Sequence, residues 1–163
     1  MSSSSFIAEL IQQKENLQIE FVGEYNSKNI MQATCALLNT EGGWVLVGYT
    51  GKELRGIAEG IEEKVTELKH LIVEKIFPQP LVDVRIETYK NKHIILLNVI
   101  KGSRQPYSLD RKYFVRQGGT TKEANGDEIS LLMRSSNEYV STWEKQTAID
   151  ASLEDLVQKE IDI

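Results

Sequence analysis

The sequence predicts an α+β fold: one domain in which a mixed, mostly antiparallel sheet packs with helices. Three observations point there. Apolar residues recur at helical spacing in some segments and alternate in others. A helix, a glycine pair and a buried strand follow one another through Asn39-Thr40-Glu41-Gly42-Gly43 and Trp44-Val45-Leu46-Val47-Gly48. An alternating strand then returns on itself across Lys90-Asn91-Lys92, the pattern of a β-hairpin. No repeat or long linker divides the chain. Residues 1–137 are therefore expected to form the domain, and residues 138–163 a helical or flexible tail.

The elements are justified in order. Phe6, Ile7, Leu10 and Ile11 follow a serine run that can cap a helix. Leu17, Ile19 and Phe21 alternate with Gln18 and Glu20 as a short strand. After a turn at residues 23–26, Ser27 is the expected cap of a central helix reaching Leu38, apolar over most of its circumference. Gly42-Gly43 ends it in the manner of a left-handed cap. Residues 44–48 read as a strand covered on both faces. A turn through Gly51 leads past Leu54 to Gly56-Ile57. Ile61, Val65, Leu68, Leu71, Ile72 and Ile76 mark an amphipathic helix stopped by Phe77-Pro78-Gln79-Pro80. Residues 82–86 pair with 93–100. Tyr113-Phe114-Val115-Arg116 is a further strand broken by Gly118-Gly119, and Gly126-Asp127 opens a last helix with Ile129, Leu131, Leu132 and Met133.

Composition narrows the function. The 163 residues are 40% hydrophobic and 26% charged, enough to bury a core without staples. The single cysteine, Cys35, excludes an internal disulfide framework and suits a reducing compartment. Its apolar helical setting reads as a structural thiol. No apolar run is long enough to span a bilayer, and the Met1-Ser2-Ser3-Ser4-Ser5 start lacks the features of a signal peptide. The expected location is cytoplasmic.

Several chemistries fail on order or spacing. A nucleotide-binding P-loop needs strand, glycine turn and helix, but Gly42-Gly43 lies between helix and strand. Gly48-Tyr49-Thr50-Gly51-Lys52 follows a strand, yet Glu53 stands where a hydroxyl residue is required. His70 and His93 have no second ligand at zinc spacing. No Gly-x-Ser-x-Gly elbow and no dinucleotide fingerprint are present.

Two features remain. Glu15 and Glu20 are either solvated polar positions or, brought together, a carboxylate pair able to hold a divalent ion. Between residues 101 and 122 lie six basic residues, Lys101, Arg104, Arg111, Lys112, Arg116 and Lys122, on a chain of net charge −5. They are either a solvated face or a phosphate-binding one. In the second reading the 101–107 segment is a flexible basic loop with an aromatic, Tyr107, at its end, and tyrosine rings stack on unpaired bases.

Taken in order, the blocks resemble the Schlafen/AlbA-type DNA-binding domain, also called the divergent AAA-4 domain. They are Glu15 and Glu20-Phe21, then Asn39-Thr40-x-Gly42-Gly43-x-x-x-x-Gly48, then Gly56-Ile57. Pro78-x-Pro80, Lys101-Gly102 with Pro106-Tyr107, and Tyr113-Phe114-Val115-Arg116-x-Gly118 complete the set. The resemblance implies a nucleic-acid-binding domain, DNA or RNA, of the kind found in transcriptional regulators, and a clamp built as a homodimer. It makes Asn39, Gly42, Gly43, Gly48 and Gly56 a structural signature. It also implies that Glu15 and Glu20 match two acids of a three-carboxylate ribonuclease site using Mg or Mn. The third acid is expected after Gly48, where this chain has Tyr49-Thr50, with Glu53 the nearest substitute. Binding without cleavage is the leading expectation. Metal-dependent ribonuclease and protein-interaction module are the alternatives.

Overall fold

The computed structural model describes residues 3–134. Its elements are α1 (Ser3–Gln13), β1 (Ile19–Val22), α2 (Ser27–Leu38), β2 (Gly43–Val47), α3 (Ile61–Lys75), β3 (Ile76–Phe77), β4 (Val82–Tyr89), β5 (Lys92–Val99), β6 (Ser108–Leu109), β7 (Lys112–Gln117) and β8 (Thr120–Glu123). The chain divides after Asn125. A helix over residues 126–134 opens the second unit, as the apolar spacing there predicts. The expected tail, with its boundary at 137/138, lies outside the described residues.

Two four-stranded sheets form, in the orders β1-β2-β5-β4 and β3-β6-β7-β8. Only β1 and β2 run parallel; the other pairings are antiparallel. Alternation along β2 and β5 separates two cores. Val45 and Val47, with Ile95, Leu97 and Val99, face α2 and α3. Leu46, Ile94 and Leu96 face the other way, onto Ile7 and Leu10 of α1. The near-continuous apolar run at 44–48 is thus a strand covered on both faces, as its composition predicts.

α2 is the central helix and packs on strands of both sheets. Eight of its residues are buried, from Ile30 to Leu38. Asn26, rather than Ser27, is its N-cap, with extended backbone and a side chain that accepts from the Asn29 N–H at 3.1 Å. The helix stops at Leu38 with Asn39 as C-cap, three residues before the glycine pair. Gly42, at φ +73°, still donates its N–H to the Leu37 carbonyl at 2.8 Å, so a left-handed glycine does close the helix end.

Gly43 has a different role. It delivers the chain into β2 at φ +142°, and a Cβ there would lie 2.0 Å from the Gln18 carbonyl oxygen. That carbonyl accepts from Trp44 N–H at 2.8 Å and starts the parallel β1–β2 ladder. Gly48 closes the other end of the strand, its carbonyl accepting the N–H groups of Arg55 and Gly56 at 2.8 and 2.9 Å.

The hairpin forms as predicted, but its turn is Lys90-Asn91, with positive φ at both, and Lys92, expected in the turn, already pairs with Tyr89 as the first residue of β5. α3 ends at Lys75, and Ile76 leaves the helix to form β3 just before Pro78, so the expected helical Ile76 is corrected. β6 and β8 are also strands that the sequence pattern does not announce.

Candidate functional site

Glu15 follows α1 and Glu20 lies on β1, and the fold brings both to one cleft of about 560 Å³. Glu24, Tyr25, Asn29, Gln32, Thr120 and Thr121 line it as well. Glu15 is fixed by the Phe21 N–H, which donates to its Oε2 at 3.0 Å. Burial raises the Glu20 carboxyl above its ordinary value against the hydrogen bond and charge of Arg116, and the neighbouring Glu15 adds to the rise.

Arg116 holds Glu20. Its side chain is wholly buried and its Nη1 donates to Glu20 Oε1 and, at 3.0 Å, to Thr121 Oγ1. Nη2 donates to the carbonyls of Asn16 at 2.6 Å and Ile19 at 2.9 Å. The guanidinium therefore ties β7 to the α1–β1 connection, and it corrects the expectation that Arg116 contacts phosphate. A buried, fully charged group held by four acceptors is not offered to a ligand.

The same geometry tests the divalent metal that the resemblance implies. A carboxylate site for Mg or Mn needs several free, ionised oxygen donors. Here Glu20 is already neutralised by a guanidinium. Glu24 is held by Arg55 at 3.0 Å, and Glu53, the substitute third acid, bonds the same arginine at 2.9 Å and lies outside the cleft lining. Among the described residues no group of three His, Cys, Asp or Glu side chains is placed to share an ion. The donor set does not fit.

The 48–56 turn settles the phosphate-loop reading in the same way. Thr50 Oγ1 accepts from Lys52 N and Glu53 N at 3.1 and 2.9 Å, and Thr50 N donates to the Glu53 carbonyl. Three of the turn's amides, those of Thr50, Lys52 and Glu53, are thus spent inside it.

The basic segment separates into two places. Lys101 and Arg104 are exposed on the loop at the C-terminal end of α2, where Lys101 Nζ lies 3.6 Å from Glu41. That loop is anchored, which corrects the expected flexibility. Gly102 N–H and the Gln105 amide both donate to the Leu38 carbonyl, at 3.0 and 2.9 Å. Asn39 holds its far end, accepting from Tyr107 N–H at 2.6 Å and donating to the Tyr107 and Phe114 carbonyls, each at 2.9 Å. Tyr107 is buried, so it cannot stack on a base.

Arg111 and Lys112 are exposed at the tight turn between β6 and β7. Lys112 lines a second cleft of about 320 Å³ with Lys28 and Lys75. Ser27, Met31, Gln32, Leu71, Leu109, Asp110 and Phe114 complete its walls and floor. Lys28 and Lys75 are absent from the basic run read in sequence, because α2 and α3 bring them there from far along the chain. Lys122 is half-buried on β8.

The remaining candidates have structural settings. Cys35 is buried against the Tyr107 carbonyl, and burial pushes its thiol up to about 12. His70 pairs with Glu74 along α3 and His93 with Thr88 across the hairpin. No helix among the described residues is long and apolar enough to cross a membrane.

Comparison with known proteins agrees with this architecture. No curated protein matches the chain. The fold resembles the N-terminal domain of a DNA helicase RecG-related protein from Nitrosomonas europaea, with a TM-score of 0.56 and 16% identity over 77% of this chain and 90% of that one. It also resembles the DIP2311 protein from Corynebacterium diphtheriae, with a TM-score of 0.55 and 16% identity over 74% of this chain. The match spans 24% of the DIP2311 chain. The family model described as Schlafen, AlbA_2 matches residues 15–125, from the first carboxylate of the acidic cleft to the end of the first compact unit. The chain belongs to the Schlafen, AlbA_2 family.

Proposed function

We propose that this domain binds nucleic acid, DNA or RNA, through phosphate contacts from Lys101, Arg104, Arg111, Lys112 and Lys122. The observation that carries the reading is that the first four keep exposed side chains on an anchored loop and a tight turn, on a chain of net charge −5. Fixed cations lose little entropy when they meet a phosphate, and phosphate contacts supply most sequence-independent affinity. Family membership and the likeness to a helicase-related domain support the same reading.

The two basic places lie near opposite ends of α2, about 15 Å apart along its axis at ~1.5 Å per residue. That distance corresponds to about four nucleotide steps of one strand at ~3.4 Å of rise per step. A role in a transcriptional regulator, a homodimeric clamp and a cytoplasmic location extend the reading, the last resting on the free, buried Cys35. Glu15 and Glu20 belong, in this reading, to the fold rather than to cleavage.

Fluorescence anisotropy across single- and double-stranded DNA and RNA at two salt concentrations tests the proposal. Binding that weakens as salt rises is the expected result, and absence of binding at low salt rejects it. Incubation with structured RNA and manganese is expected to give no cleavage. Cleavage abolished by Glu20→Gln would restore the nuclease reading.

A further inference from the structure

The two clefts of the first unit carry opposite charge. Three glutamates and no base line the cleft at Glu15, whereas three lysines and one aspartate line the cleft at Lys112. The second is thus a positive site on a negative chain. Its single acid, Asp110, lies 3.7 Å from Lys75 Nζ. Lys28 and Lys112 have no carboxylate within salt-bridge distance among the described residues. The positive end of the α2 dipole, at Ser27 and Lys28, adds to the same field.

Beneath the lysines the floor is apolar: Met31, Leu109 and Phe114 are buried and Leu71 is half-buried. Ser27 and Gln32 stand at the wall with a hydroxyl and an amide. Cations above an apolar floor, with a few neutral polar groups beside it, suit a ligand that has a phosphate at one end and a flat, weakly hydrated ring at the other. An acidic peptide would match the charge but leave the floor uncovered.

We infer that this cleft is a nucleotide site, in which Lys28, Lys75 and Lys112 hold a phosphate and the half-buried Leu71, at the edge of the apolar floor, meets the base. The inference rests on the nucleic-acid reading for the ligand class and adds where one nucleotide unit is seated. The unit comes either from a strand or from a free mononucleotide. Two of the three lysines lie outside the 101–122 basic run, so the site is built by the fold and not by that run.

The test uses the full chain with two probes, adenosine 5′-monophosphate and a fluorescein-labelled single-stranded RNA. Amide chemical shifts and anisotropy are the readouts. The variant is Lys28→Gln/Lys75→Gln, two exposed positions outside the phosphate contacts proposed above; Lys28→Glu alone serves as a second, single-site probe. The mononucleotide is expected to shift amides in the segments 27–32 and 109–114. The double variant is expected to bind it about tenfold more weakly, with a weaker loss in Lys28→Glu. A parallel loss for the RNA identifies a strand as the source of the nucleotide, and an unchanged RNA affinity identifies the free nucleotide. If parent and variants bind both probes equally, the inference is overturned while the nucleic-acid reading stands. If the parent binds neither probe at low salt, both are overturned.

Discussion

The guanidinium of Arg116, on β7, is buried against the carboxylate of Glu20, on β1, ninety-six residues earlier in the chain. The contact joins the second sheet to the first. It also makes Glu20 part of the scaffold. Removing the arginine leaves Glu20 without its cationic partner and takes from the Asn16 and Ile19 carbonyls one of the two donors each has. Arg116→Ala is therefore expected to cost ~3–5 kcal/mol, the range for breaking a buried ion pair, measured by urea denaturation. A near-neutral result would mean that the pair is not holding the sheets together.

The acidity of Glu20 gives a second expectation. Its folded value is raised above the ordinary 4.5, chiefly by burial. A carboxyl raised on folding contributes stability that is fully present below its unfolded value and is lost as pH rises through its folded one. The stability of the parent relative to Glu20→Gln should therefore fall as pH climbs from about 4.5, the unfolded value, to the raised folded value. Thermal melts of both proteins across that interval measure it. A difference that grows with pH would contradict the assignment.

Asn39 offers a third. Its amide is a three-way bridge, to both backbone groups of Tyr107 and to the Phe114 carbonyl. Asn39→Ala orphans buried backbone groups and should cost about 3 kcal/mol. Asn39→Asp should be no better, since a carboxylate has no N–H for the two carbonyls. Denaturation midpoints of the two variants decide the matter, and a mild Asn39→Asp would show that the carbonyls find other donors.

The glycines can be separated by one pair of substitutions. Gly43→Ala places a methyl 2.0 Å from the Gln18 oxygen at a φ that side chains avoid, and should cost more than ~3 kcal/mol or prevent folding. At Gly118 φ is +60° and a Cβ meets nothing within 4 Å, so alanine should cost only ~1 kcal/mol. Comparable losses at the two sites would mean that close approach to β1 is not what requires Gly43.

Much of this architecture is legible in residues whose pattern is local. The Lys90-Asn91 turn, the two-faced strand at Val45-Leu46-Val47 and the apolar stripe of α3 are each set by neighbours in sequence. The block Asn39-x-x-Gly42-Gly43-x-x-x-x-Gly48 stands out in the sequence, although the reason for each residue appears only when Gln18, Tyr107 and Arg55 come to meet them. Arg116 illustrates what sequence hides. Among five other cations it reads as one more phosphate contact, and only the packing of β7 on the α1–β1 connection withdraws it from solvent. Tyr107 is hidden in the same way. Conversely, Lys28 and Lys75 join Lys112 through tertiary structure alone. The short β3 and β6 carry too few residues for an alternating pattern to declare itself.

The most direct test of the account is the salt dependence of nucleic-acid binding by the parent and by Lys101→Ala/Arg104→Ala/Arg111→Ala/Lys112→Ala. The logarithm of affinity for single strands should fall linearly with the logarithm of salt between about 50 and 200 mM, and the variant's slope should be shallower by ~0.7 for each phosphate no longer neutralised. Equal affinity and equal slope in the two proteins would contradict the claim that these four side chains hold the phosphates.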